Sequence, residues 1–295
     1  MIDTISKYSR ISNDKYYFSL LIPSWNNLDY LKNCIESIRS NSSLQNQIIV
    51  IVNEGKDGTA HWVKSQPDID YILAKENIGI CYGLNSARSL VKSEYIVYIN
   101  DDMYVLPEWD KELHQEILNI GSKSFMLSST MIEPVSTNNP SVIVKNYGGD
   151  LKTFQQELLL KEYEGLKTKD WSGSMWPPNV VHTDMWDLVG GMSIEFSPGM
   201  YSDPDFARKL FEAGVRIFKG KGTSLVYHFG SKSTNRIGKS IGRKIFLSKW
   251  GISASIFRKH FLKHGNDYSN ENYNFSLSRK TIVLNKIKRI FHSFR

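Results

Sequence analysis

Four short apolar runs set the frame of this chain, because each is followed closely by a segment with helical character. The runs fall at residues 18–22, 48–52, 69–74 and 95–99. After the first, Leu28, Leu31, Ile35 and Ile38 recur at three- to four-residue spacing with polar residues between them, which predicts an amphipathic helix. "TAHWVKSQ", "NIGICYGLNSARSLVKS" and "LPEWDKELHQEILNI" continue the alternation. Strand and helix in turn, joined by short connections, imply βαβ units and a mostly parallel open sheet. The run 48–52 is apolar throughout, as expected of a strand covered on both faces.

In such sheets ligands bind beyond the carboxyl ends of the strands. Three polar segments stand at such ends: Pro23-Ser24-Trp25, Asn53-Glu54 and Asn100-Asp101-Asp102. The last is the most pointed. Its two adjacent carboxylates have no basic neighbour in sequence, and oxygen ligands of this kind suit a hard cation such as Mg²⁺ or Mn²⁺ shared with substrate phosphates. On pattern alone, an acidic turn before Pro107 is the simpler reading.

Beyond residue 125 the chain is less regular. "FMLSSTMIEP" and "TSLVYHFG" read as strands, and "TFQQELLLKEYEGL" and "HTDMWDLVGG" as helices. "SDPDFARKLFEAGV" reads as a further helix, with Ser202 or Asp203 as its cap and Pro204 in its first turn. His260 and His264 are one helical turn apart, but no third ligand follows, so a basic helix end is expected rather than a zinc site. Hydrophobic residues make up 41% of the 295 and charged residues 23%, which supports a sizeable core and excludes wholesale disorder. No apolar run reaches membrane-spanning length, and the opening segment lacks the apolar centre of a secretion signal. Two cysteines, Cys34 and Cys81, form no disulfide framework and are expected as reduced thiols of a cytoplasmic protein. The net charge of +7 is concentrated in the acid-free tail "SRKTIVLNKIKRIFHSFR". Nucleic acid, an anionic membrane or a phosphorylated substrate would each suit that excess.

The ordered set "SLLIPSWNN", "IIVIVNEGKDGT", "ENIGICYGLNSA", "YIVYINDD", "WDLVGGM", "YSDPDFARKL" and "VYHFG" resembles a family 2 glycosyltransferase of the GT-A type, over roughly residues 17–231. Several spaced motifs in order are far more specific than any one. The resemblance implies an α/β GT-A (Rossmann-like) sheet flanked by helices. It also implies transfer of a sugar, with inversion, from a nucleotide-sugar donor to an acceptor hydroxyl, with a UDP-sugar favoured. Mn²⁺ or Mg²⁺ would be the cofactor, held by Asp102 and, after the last core strand, by His228. Asp101 would contact the donor, as would Asn100, which stands where many members carry an acid. Asp203 matches the catalytic base, with Asp205 as the fallback. Pro23, Ser24, Trp25 and either Asn53 or Glu54 would form the nucleotide pocket, and Asn77, Gly79 and Asn85 a donor loop. Trp186, Asp187, Gly190 and Gly191 would wall the acceptor side, although a tryptophan is equally a core residue.

The expected organisation is a catalytic domain over 1–234, a helical extension over 235–264, a polar linker over 265–278 and a basic amphipathic helix over 279–295. Such a helix suits an anionic membrane surface, which a lipid-linked glycan acceptor would make useful. A free glycan is the other acceptor class. The expected location is cytoplasmic, peripheral to the inner face of the membrane. Among the alternatives, a nucleotidyltransferase should carry a glycine- and base-rich phosphate loop near its N-terminus, and "IPSWNN" has none. A nucleic-acid-binding protein leaves the strand-end acids unexplained. A non-catalytic nucleotide-sugar or glycan-binding module of the same fold remains open.

Overall fold

Burial on both faces explains why the first strands are so uniformly apolar. The computed structural model describes residues 4–11, 14–230 and 241–269, with 278–279, 283–285, 287 and 289 of the tail. In chain order the elements begin β1 (Ile5–Tyr8), β2 (Ser19–Trp25), α1 (Leu28–Asn41), β3 (Gln47–Asn53), α2 (Thr59–Ser65), β4 (Ile69–Ala74), α3 (Gly79–Ala87) and β5 (Tyr95–Tyr98). They continue with β6 (Met103–Val105), α4 (Trp109–Ile120), β7 (Phe125–Glu133), β8 (Val142–Val144), α5 (Gln156–Glu162), β9 (Trp171–Ser172) and β10 (Asn179–His182). The last are α6 (Thr183–Leu188), α7 (Ser202–Glu212), β11 (Ile217–His228), α8 (Gly242–Trp250) and α9 (Ala254–Ile256), which runs into a π-helical turn over Phe257–Phe261.

One sheet orders its strands β1-β4-β3-β2-β5-β10-β7-β11-β6, with β8 beside β7 and β9 beside β11. The segment β4-β3-β2-β5 is parallel, as the alternating sequence predicts. The remainder is mixed: β10 runs antiparallel between β5 and β7, β7 and β11 are parallel, and β6 is antiparallel to β11. From β2 the chain winds one way through β3 and β4, then returns to place β5 on the other side. This makes a topological switch point at the carboxyl ends of β2 and β5, where doubly wound sheets bind ligands.

Two apolar layers cover the sheet. Leu31, Ile35 and Ile38 of α1 pack with Trp109, Leu113 and Ile117 of α4 against one face. The other face carries Leu84, Phe206 and Leu210 together with Phe246 and Phe257, so the C-terminal extension shares the core of the sheet. The start of the expected polar linker is also attached. Ser172 N–H donates to Asn266 O at 2.8 Å, and Tyr268 N–H to Asp170 O at 2.9 Å, extending the sheet edge at β9. Residues 270–277 lie outside the described residues.

Of the tail, Asn285 is buried and its Oδ1 accepts the Ser253 N–H at 3.2 Å, while Val283, Leu284 and Ile287 are exposed. No described helix is long and apolar enough to cross a membrane. Cys34 and Cys81 are buried free thiols. His264 hydrogen-bonds Ser141 Oγ and packs edge-on against Trp171 and Trp176, and burial pushes its pKa down to about 4, so it is a neutral packing residue.

Where β9 crosses β11, Trp171 lies directly over Gly220 and its indole N–H donates to Thr130 Oγ1 at 2.8 Å. A Cβ on Gly220 would overlap the Trp171 ring. Gly220→Ala is therefore expected to destabilise the protein by about 3 kcal/mol, read as a fall in thermal midpoint. An unchanged midpoint would mean the ring moves aside freely.

Candidate active site

A cleft of about 730 Å³ opens at the switch point, large enough for a nucleotide-sized ligand. Strand ends build its floor. Pro23 and Trp25 come from β2, Asn53 from β3, Asn100, Asp101 and Asp102 from the turn after β5, Glu133 from β7 and His228 from β11. Asn77 and Gly79 enter at the start of α3, and Asp203 in the first turn of α7.

His228 joins three of these ends. Its Nδ1 lies 2.8 Å from Glu133 Oε1, and its Nε2 3.4 Å from Asp102 Oδ1. All three side chains are buried. Burial opposes a charge on the imidazole, but the carboxylates on either side outweigh it and hold the pKa up at about 10. The second oxygen of Glu133 accepts from Thr137 Oγ1, which fixes the carboxylate behind the ring.

These residues fit a divalent cation. With the Nδ1–H on Glu133, an incoming ion that displaced the Nε2 proton would find that nitrogen 3.4 Å from a carboxylate oxygen, a separation two ligands of one small ion would have. An imidazole backed by a carboxylate is the usual arrangement of a ligating histidine. Among the described residues no group of three or more His, Cys, Asp or Glu side chains is arranged to hold an ion. The chain therefore offers a two-ligand corner, which suits an ion completed by substrate phosphates and water.

Asp203 is in a different state. Its Oδ1 is shielded from solvent and bonded to nothing among the described residues. Burial raises its pKa to about 7, and no cation among the described residues offsets it. Its electrostatic neighbours Tyr98 and Cys81 are neutral, each pushed up by burial and by the aspartate charge, Cys81 to about 12. Asp203 does not cap its helix, which begins at Ser202 after Tyr201. Asp205, two residues on, is wholly buried but fully engaged, with Trp250 Nε1 at 2.8 Å and Lys249 Nζ at 3.0 Å. It lies outside the cleft lining and ties α7 to α8.

The structure also separates the other expected residues. Of Asn53 and Glu54, only Asn53 lines the cleft. Glu54 has a left-handed backbone (φ 61°), and its carboxylate accepts from Asn26 Nδ2 at 3.0 Å, a contact that holds its pKa below the usual range. Asn53 Oδ1 accepts the Ile78 N–H at 3.1 Å, which commits that oxygen to the α3 loop. Ser24 is buried behind the floor and does not line the cleft.

Gly79 (φ +73°) serves packing as well as access, since a Cβ there would come within 3.0 Å of Pro198 Cα. Asn85 does not line the cleft; its amide is bonded in both directions to the Met192 backbone, at 2.7 Å each. The expected acceptor wall also stands outside the cleft. Trp186 is core, 5.0 Å from the Phe206 ring, and Asp187 pairs with Arg88 at 2.7 Å. Gly191 leaves room for Asn85 and Trp186, and Gly190 makes the turn beside it at φ +71°.

The rest of the described cleft lining includes Trp176-Pro177, Pro198–Tyr201 and residues 253–256 with Arg243 and Arg258. Glu133 had a readable signal, since it ends an apolar strand as Asp102 does. The residues of the extension had none, because only tertiary packing brings them to the cleft.

The division between Asp203 and Asp205 can be checked on stability. Asp205→Ala strips the partners from Lys249 and Trp250 and is expected to destabilise by about 3 kcal/mol in a denaturant titration. A neutral result would show that α8 does not depend on this contact.

Comparison with known proteins agrees with the architecture. Residues 19–175 match Glycosyl transferase family 2. Glycosyltransferase GlyA of Streptococcus pneumoniae serotype 4 is 23% identical over 104 residues, a stretch covering 34% of this chain and 15% of that protein. S. aureus TarS 1–349 in complex with UDP-GlcNAc superposes with a TM-score of 0.58 at 13% identity, covering 94% of this chain and 72% of that one. GalNAc-T7 with UDP, GalNAc and Mn²⁺ gives a TM-score of 0.58 at 12% identity, covering 84% and 51%. Likeness at this identity concerns the fold alone, which is GT-A. With more than half of its length matched by the family and a GT-A sheet carrying the cleft, the chain belongs to glycosyl transferase family 2.

Proposed function

We propose that this chain transfers a sugar, with inversion, from a nucleotide-sugar donor to an acceptor hydroxyl. The observation that carries the reading is the Asp203 carboxylate, unpaired among the described residues and raised to about 7, in the same cleft as the Asp102–His228 corner. Inversion by single displacement needs one base, and a base works best with a pKa near the working pH. Asp203 would take the acceptor proton on its carboxylate as the hydroxyl attacks the anomeric carbon. The neutral shell of Tyr98 and Cys81 keeps that carboxylate basic.

Asp102 and His228 would hold Mn²⁺ or Mg²⁺, with Glu133 fixing the ring and Asp101 and Asn100 lying beside them on the floor. When bound, the ion neutralises the leaving diphosphate. Trp25 offers an aromatic face to a base. Asn53, with Oδ1 occupied, retains Nδ2 to donate to a base carbonyl, which favours a keto base such as uracil. The UDP and UDP-sugar complexes of the structurally similar proteins support the same donor class. A non-catalytic module gives no account of a shielded carboxylate oxygen without a partner among the described residues.

The acceptor is proposed to be a glycan or lipid-linked glycan in cell-surface polysaccharide or lipopolysaccharide synthesis at the cytoplasmic membrane face. The exposed Val283, Leu284 and Ile287 and the acid-free basic tail support that placement.

Two results test this reading. Asp203→Asn should reduce transfer, or donor hydrolysis, by about 10²–10⁴-fold while donor affinity is retained. The wild-type rate should fall with unit slope below about pH 7, as Asp203 takes up its proton. Loss of donor binding in the variant would make Asp203 structural. Deleting residues 279–295 should weaken binding to anionic vesicles, each basic residue contributing about 1 kcal/mol. Equal vesicle binding with and without the segment would remove the membrane placement.

A further inference from the structure

The charges lining the cleft fall into two groups. Asp101, Asp102, Glu133 and Asp203 belong to the strand ends and the start of α7, with His228 among them. The extension contributes the opposite sign: Arg243 in the first turn of α8 and Arg258 in the π-helical turn. Neither guanidinium has a carboxylate within ion-pair distance among the described residues. Glu133 of the same cleft uses both oxygens on His228 and Thr137, and Asp205 at the α7–α8 contact is held by Lys249 and Trp250.

Arg258 is half-buried and oriented. Its Cζ sits 5.2 Å from the centroid of Trp176, itself a lining residue. An arginine laid on an indole is fixed by the ring face while its N–H edges stay open, the geometry that receives a carboxylate or phosphate in bidentate fashion. His264 packs on the same indole at 4.9 Å and is held neutral by its burial and by Arg258, so it brings no competing charge. Ser253 and Ser255 line the wall between the two arginines in sequence.

The geometry points to an anion site on the acceptor side of the cleft, so that the acceptor carries a phosphate ester or a carboxylate close to its reacting hydroxyl. This rests on the glycosyltransferase reading and narrows it. The donor diphosphate already has the Asp102–His228 corner and its ion, so two further cations on the extension match a second anion. Arg258 and Arg243 act here as specificity residues that seat the acceptor for Asp203.

The test uses the full chain saturated with UDP and Mn²⁺, titrated calorimetrically with glucose, glucose 1-phosphate and glucuronate. The expected result is that at least one anionic sugar binds about tenfold or more tightly than glucose. Arg258→Met and Arg243→Ala should remove most of that preference, with UDP affinity kept within about twofold. Preference for glucose 1-phosphate alone identifies a phosphate ester as the acceptor anion, and preference for both sugars a general anion site. Equal binding of all three sugars overturns the proposal. So does an anion preference that survives both substitutions, or a parallel loss of UDP affinity that returns the arginines to the donor.

Arg243 is exposed, so its variant decides the matter should loss of the Trp176 contact unfold the other. If UDP does not bind at all, the donor reading fails. The three sugars titrated without it then still report on the arginine site.

Discussion

Pairing on both sides of strand β11 places the chemistry. Its parallel register with β7 aligns Tyr227 with Ile132, so His228 and Glu133 end side by side. Its antiparallel register with β6 aligns His228 with Met103, and Phe229 N–H donates to Asp102 O at 3.1 Å. One histidine is thereby set between two carboxylates that lie thirty-one residues apart in sequence. A slip of one residue in either ladder would turn His228 to the other face and dissolve the corner. The two apolar layers, the Trp171–Gly220 contact and the bonding of residues 265 and 266 to β9 all hold these registers.

Against this tightly bonded corner stands Asp203, whose shielded Oδ1 has no partner among the described residues. A group raised from 3.8 to about 7 on folding lowers native stability as pH rises through that interval, because the native state must then hold the charge. A purely structural acid in α7 would be paired, as Asp205 is on Lys249 and Trp250. Two acids two residues apart thus differ in state through their surroundings alone: Asp205 is tied to α8, and Asp203 has its pKa raised at some expense of stability.

The parallel half of the sheet was legible because residues 18–22, 48–52, 69–74 and 95–99 carry an apolar signal that survives any context. The same strands made the floor legible, since their ends had to converge on one edge. What could not be read was direction and packing. The antiparallel β10 has four residues and no distinctive pattern. Asn85, Trp186 and Gly191 carry residue types that suit a sugar site, yet they close on one another around Met192. Glu54 was separated from Asn53 only by its left-handed backbone, which turns it onto Asn26. Arg258 reaches the cleft because Phe257 and Phe261 pack beside it against Phe211, a tertiary contact without a local signature.

The most direct test of the account is a binding titration of the wild-type chain with UDP, GDP and dTDP, each with and without Mn²⁺. UDP is expected to bind most tightly, with Mn²⁺ strengthening its binding by about tenfold or more, as would follow if Asp102 and His228 supply only part of an ion's shell. Absence of binding by all three nucleotides, or affinities indifferent to the ion, would contradict it.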